Sequence, residues 1–165
     1  MKKLMLVATM VLGFAGMSFA QLTANASANL KLQIVTAMSM SVNGSVNFGS
    51  FATATNGTES VAPASGAVFT VSGTPGASFT VTLPVATSYN LSNGTTTITF
   101  TPTLEASVDG TTNSGTPSTG SAYTLGSSGT NSGKYYFLLG GSVTLGGSES
   151  AGAYTGTYTL TATYN

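Results

Sequence analysis

Apolar and polar side chains alternate strictly near the start of the chain, along residues 22–35. The apolar positions are Leu22, Ala24, Ala26, Ala28, Leu30, Leu32 and Ile34. Because successive side chains of a strand point to opposite faces, this pattern predicts one long strand with a single apolar row. Such a strand either pairs within its own sandwich or fills a groove in another molecule. The pattern leaves both possibilities open.

Short alternating segments separated by turn residues follow along the rest of the chain. They predict strands at residues 38–42, 45–51, 66–73, 77–83, 89–91, 95–101, 103–108 and 134–145. Tight turns are predicted at Asn43-Gly44, Asn56-Gly57 and Asn93-Gly94. Thr74-Pro75-Gly76 has the residues of a type II turn, so residues 66–83 are predicted to form a β-hairpin.

The last segment, residues 153–164, is as regular as the first. One face carries Tyr154, Gly156, Tyr158, Leu160, Ala162 and Tyr164. Residues 109–133 are rich in Gly, Ser and Thr, which predicts a long surface loop with a small edge strand near Tyr123. Many short strands without helical patterns predict an all-β, immunoglobulin-like antiparallel β-sandwich.

The first 20 residues have the pattern of a secretory signal peptide. Two lysines precede an apolar run, and Ser18-Phe19-Ala20 offers small residues before a cleavage site. We therefore expect one domain at residues 21–165, exported to the periplasm and then to the cell surface or beyond. The apolar run is short for a transmembrane anchor and no second one follows it, so no membrane span is expected.

Charged residues make up only 5% of the chain. After residue 20 there are two lysines and four acids, a balance of −2. This balance offers no basic patch, so nucleic acid is not expected as a partner. A surface with so little charge repulsion suits a protein that assembles with itself.

Catalytic residue types are nearly absent, so an enzyme, a metal site and a cofactor are not expected. The chain has no His, no Cys and no Arg, which excludes Ser-His-Asp and Cys-His catalysis and the usual zinc sites. Glu105 and Asp109 are close enough in sequence to suggest a glycosidase pair, and Asp109 with Asn113 suggests calcium ligands. Solvated loop acids explain them better. Core or edge packing is the expected role of four tyrosines, and a sugar-binding surface is the alternative: Tyr89, Tyr123, Tyr135 and Tyr136.

Three passages resemble known bacterial surface proteins. ASANLKLQIVTAMSMSV with GSVNFGSF is similar to the start of archaic chaperone–usher pilins and of the spore coat protein U family. VFTVSGTPGASFTVTLP and SAGAYTGTYTLTATYN resemble an uncharacterised bacterial surface β-sandwich domain family related to those pilins. Spore-coat-type domains carry a Cys pair that this chain lacks, so the resemblance implies a sandwich stabilised by packing and by the inserted strand.

This resemblance implies a structural subunit of a surface fibre that assembles by donor-strand exchange. The apolar row of residues 22–35 would fill a groove in a second copy, beside the closing residues Tyr154, Tyr158, Leu160, Ala162 and Tyr164. A periplasmic chaperone and an usher are the implied partners. The alternative is a self-complete adhesion module that binds carbohydrate or a host-surface receptor through residues 109–133.

Overall fold

The computed structural model describes residues 27–165. The chain divides into two units, Met1–Gln33 and Ile34–Asn165, and the second is a compact β-structure. The predicted signal peptide lies outside the described residues, as do Leu22, Ala24 and Ala26. No helix among the described residues is long and apolar enough to cross a membrane.

Nine strands, all paired antiparallel, form two sheets in the described part of the chain, which confirms the all-β sandwich. The strands are β1 Ser39–Asn43, β2 Asn56–Val61, β3 Ala67–Ser72, β4 Ser78–Thr82, β5 Tyr89–Ser92, β6 Thr97–Ser107, β7 Ala122–Thr124, β8 Lys134–Gly146 and β9 Thr161–Tyr164. The larger sheet has the order β1-β3-β8-β6-β5, with β2 also paired to β8. The smaller sheet has the order β7-β4-β9.

Strand β8 holds the larger sheet together. One of its edges pairs with β3 along residues 134–139 and with β2 along residues 141–146, while β6 pairs with the other edge. Gly141 lies where the partner changes, with φ of +147°, and a Cβ there would clash with the Phe100 ring and the Thr101 carbonyl. Glycine is therefore required at this point of the strand.

The core lies between the smaller sheet and one half of the larger sheet. Phe79 and Val81 on β4 face Phe137 on β8, and all three are fully buried. The rings of Tyr123 and Phe137 meet edge to face, with 5.3 Å between their centroids. Alternation with a period of two thus places large apolar side chains on the facing surfaces of the two sheets, as the sequence predicts.

The predicted hairpin at residues 66–83 is wrong, although its turn is correct. The Ala77 amide donates to the Thr74 carbonyl at 3.1 Å, and Gly76 has φ of +73°. Strand β3 pairs with β1 and β8, however, whereas β4 pairs with β7 and β9. The turn therefore connects two sheets, because each strand pairs with strands other than its neighbour in sequence.

Two other predictions need correction. Asn56-Gly57 opens strand β2 and is not a turn, and the turn comes earlier, where the Thr55 amide donates to the Ala52 carbonyl at 2.9 Å. Residues 45–51 form no strand. Their predicted inner residues, Val46 and Phe48, nevertheless pack against the core, so the side-chain pattern is right without a strand partner.

The loop of residues 109–133 is tied to the smaller sheet. Its predicted edge strand is β7, and the following Leu125 is fully buried. The Leu125 amide donates to the Ala77 carbonyl at 3.0 Å, and the Gly73 amide donates to the Gly133 carbonyl at 2.9 Å. This loop is therefore part of the packed structure.

The last tyrosine ties the end of the sandwich to its beginning. The Tyr164 hydroxyl donates to the Thr36 carbonyl at 2.9 Å and accepts from the Thr74 amide at 2.7 Å. The Thr36 amide in turn donates to the Thr74 hydroxyl at 2.6 Å. We call these three residues the Tyr164 clamp. The clamp holds the chain just before β1.

Replacing Phe137 with Ala tests the core. We expect the free energy of unfolding to fall by about 3–5 kcal/mol, because the fully buried ring leaves a cavity between the sheets. Urea denaturation followed by circular dichroism measures it. The control is Val85→Ala, whose side chain is 99% exposed, with an expected change within about 0.5 kcal/mol. Equal effects of the two substitutions would contradict this core.

Candidate functional site: an open apolar groove

An open groove runs along the part of the larger sheet that the smaller sheet does not cover. It has a volume of about 1030 Å³. Its floor comes from β3, β5, β6 and β8, and its walls from residues 44–53 and 149–158. All of its lining residues belong to the unit Ile34–Asn165.

The floor of the groove is a separate apolar cluster. Its buried members are Ile98, Phe100, Val143 and Leu145, on β6 and β8. Half-buried side chains cover them, including Phe48, whose ring meets that of Phe100 at a centroid distance of 5.8 Å. Because the cover is side chains of irregular segments and not a strand, this half of the sandwich is incompletely closed.

The groove walls are held by few backbone hydrogen bonds. Residues 44–55 and 156–160 belong to no strand in the described part of the chain. Thr155 forms an isolated antiparallel bridge with Ser92, with N–O distances of 2.9 and 3.0 Å. A wall segment that lacks a neighbouring strand leaves backbone donors and acceptors available for one.

The predicted closing strand, residues 153–164, is shorter than expected, since only β9, Thr161–Tyr164, is a strand. The predicted inner face is nonetheless correct: Leu160 is buried, whereas Tyr154, Tyr158, Ala162 and Tyr164 are half-buried. The register pairs Thr161 with Thr82 at the end of β4. After Thr82, the Leu83 amide donates to the Thr119 hydroxyl, and Pro84 has no N–H. The pairing between β9 and β4 therefore does not continue past Thr161.

Two tyrosines of this segment point into the groove. The Tyr154 hydroxyl donates to the Ser150 carbonyl at 2.9 Å and contacts the Thr96 hydroxyl. Tyr158 lies between Phe69 on β3 and Tyr89 on β5, with ring centroids 6.3 and 5.2 Å away. Burial, and then the neighbouring Tyr89, raises the pKa of Tyr158. The inward face of the wall is therefore aromatic and half-buried.

Glu149 is the one charged residue among those lining the groove. Its carboxylate accepts hydrogen bonds from the backbone amides of Gly146, Gly147 and Ser148. These bonds hold the pKa of Glu149 below its usual value. The sequence does not indicate that Glu149 accepts these hydrogen bonds, because the three amides come together only in the turn at the end of β8.

The described donor-segment residues are exposed. Leu30, Leu32 and Ile34 are 96%, 89% and 87% exposed, and Ala28 is exposed too. Residues 27–38 lie outside every described strand. Large apolar side chains with this exposure, spaced by two, form an apolar row that no described residue covers.

The alternative sites suggested by the sequence are used for packing. Tyr123 and Tyr135 belong to the aromatic core, and the Tyr136 hydroxyl donates to Asn131 at 3.0 Å. The Asp109 carboxylate accepts from the Thr111 and Thr112 amides, which lowers its pKa. Within residues 27–165, no three potential metal-ligating side chains cluster.

Acidification tests the Glu149 contacts. Because the pKa of Glu149 is lowered by folding, its contribution to stability is present above the usual carboxyl pKa and is lost as pH falls through the folded value. Glu149→Gln should therefore lower the melting temperature at pH 7 and have a smaller effect at low pH. Calorimetry of both proteins from pH 7 to pH 2 measures this.

The matched control is Glu105→Gln, for a carboxyl group on β6 outside the groove. It should change the melting temperature less at pH 7. An equal loss of melting temperature for the two variants would contradict a stabilising role of the Glu149 carboxylate. An effect of Glu149→Gln that grows on acidification would contradict it as well.

Comparison with known families places the chain in one of them. The family model described as "Domain of unknown function (DUF4402)" matches residues 11–164. No curated protein matches the chain. Since the family match covers nearly the whole sequence, the protein belongs to the DUF4402 family.

Proposed function

We propose that this protein is a structural subunit of a bacterial surface fibre that assembles by donation of a strand. Residues 22–35 of one copy enter the groove of the next copy. The observation that carries the proposal is the groove itself, an apolar floor whose wall lacks a neighbouring strand. A strand added there supplies backbone hydrogen bonds to the wall and apolar side chains to the floor.

The donor segment has the pattern that this site requires. Every second side chain is apolar, so one face of an inserted strand can replace the side chains that now cover Phe100 and Val143, while the other face remains in water. The exposure of Leu30 and Leu32 in the single chain leaves that row free for a partner. Burying one such leucine contributes about 1.5–3 kcal/mol.

The point where the donor segment joins the sandwich and the groove that would accept a strand lie at opposite ends of β1. The Tyr164 clamp holds Thr36 near the start of β1, where Ser39 pairs with Ser72. At the other end Asn43 pairs with Val68, and the groove wall begins at Gly44. A head-to-tail contact of this kind does not close on itself as a symmetric dimer does, so it favours a linear polymer.

Charge also matches between the two partners. Lys31 is the one charged residue in residues 22–35, and Glu149 is the one charged residue lining the groove. Opposite charges favour encounter and a consistent register, although an exposed pair adds only about 0–1 kcal/mol. The apolar row therefore supplies most of the affinity.

The test is a double substitution, Leu30→Asp with Leu32→Asp, in the chain from Gln21 onward. It should leave the fold of the subunit unchanged, because both side chains are exposed. It should weaken self-assembly at least about a hundredfold, since two leucines no longer enter the groove. Analytical ultracentrifugation and negative-stain microscopy over a concentration series measure assembly.

The control is Val85→Asp, which adds a charge at an equally exposed apolar residue outside the groove. It should assemble like the unsubstituted protein. The proposal is wrong if the double variant forms the same polymers, or if the unsubstituted chain stays monomeric at every concentration and melts cooperatively.

A further inference from the structure

One hydroxyl group in the groove is buried without a partner. The oxygen of Tyr89 is shielded from solvent and has no hydrogen-bond partner among residues 27–165. Buried hydroxyl groups in native proteins nearly always have a partner, because leaving one unpaired is unfavourable. This orphaned group therefore needs a physical explanation.

The position of Tyr89 connects the hydroxyl to the groove. Tyr89 begins β5 and lines the groove, paired with Phe100 of the apolar floor. The ring of Tyr158 packs on it at a centroid distance of 5.2 Å and an angle of 67°. Tyr158 comes from the groove wall, whose residues 156–160 join no described strand. Its ring thus lies across the groove from β5 to Phe69 on β3.

We propose that Tyr89 is a specificity-determining residue of the groove: its hydroxyl bonds to a backbone group of the inserted strand after Tyr158 moves aside. This inference rests on the proposed function and names the chemistry that the groove selects. The preferred occupant is a polypeptide strand, which carries amide groups along both edges. A purely hydrocarbon ligand leaves the hydroxyl unpaired.

The discrimination follows from the cost of an unpaired polar group. A site that buries a hydrogen-bonding group rejects ligands that cannot pair with it, whereas an all-apolar pocket accepts any shape that fits. The empty subunit carries the unpaired hydroxyl, and strand insertion pairs it. Tyr89 therefore disfavours the empty state and favours the filled one.

Tyr89→Phe tests this inference because it removes the hydroxyl and keeps the ring. The acceptor is the chain from Gln21 with Leu30→Asp and Leu32→Asp, and the probe is a synthetic peptide of residues 22–35. In the empty acceptor, Tyr89→Phe should leave the melting temperature equal or higher. In titration calorimetry it should weaken peptide binding about two- to tenfold, the effect of one net hydrogen bond.

The control is Tyr136→Phe, whose hydroxyl bonds to Asn131 outside the groove. It should leave peptide affinity unchanged. Equal or tighter peptide binding by Tyr89→Phe overturns the role of Tyr89 while leaving strand insertion intact. If neither the acceptor with Tyr89 nor the one with Tyr89→Phe binds the peptide, strand insertion and the role of Tyr89 are both overturned. Dodecanoate serves as the hydrocarbon probe, and its binding without binding of the peptide overturns both as well.

Discussion

The structure depends on covering the apolar inner face of a sheet that is larger than its partner. The smaller sheet has three short strands, and the larger has six, built around the 13 residues of β8. Where the two sheets overlap, Phe79 and Phe137 are fully buried. Beyond that overlap, the floor residues Phe100 and Val143 are covered by single side chains of irregular segments. A sandwich with unequal layers must expose apolar surface or borrow cover from elsewhere.

Side-chain direction could be predicted from the sequence more successfully than strand pairing. Phe69 and Val71 are buried as their alternation predicts, and Val46 and Phe48 point inward although they join no strand. The alternation indicates which side chains are buried away from water. That preference depends on each residue and its immediate neighbours in sequence. Which strand lies beside which is decided by distant residues, so the turn at Gly76 gave no sign that it joins two sheets. Strand β2 was missed because its exposed residues carry no apolar pattern.

The two halves of the candidate site differ in the same way. The apolar row of residues 22–35 is visible in the sequence because its alternation is continuous. The groove is not, because it arises where none of the strands described in residues 27–165 lies beside residues 156–160. The surroundings of Tyr89 and Glu149 depend on where Tyr158 and the end of β8 come to lie. Those positions follow only from the folded sheet.

The Tyr164 clamp has a mechanical consequence. In a fibre built by strand insertion, tension would enter each subunit through the chain before Thr36. Strand β1 is paired to β3 on one edge, so a pull directed away from the sheet would peel it off one hydrogen bond at a time. The clamp joins Thr36 to β9 and to the turn after β3, so the load spreads over both sheets. In such a fibre, the Tyr164 side chain on β9 would reinforce the point at which force enters the subunit.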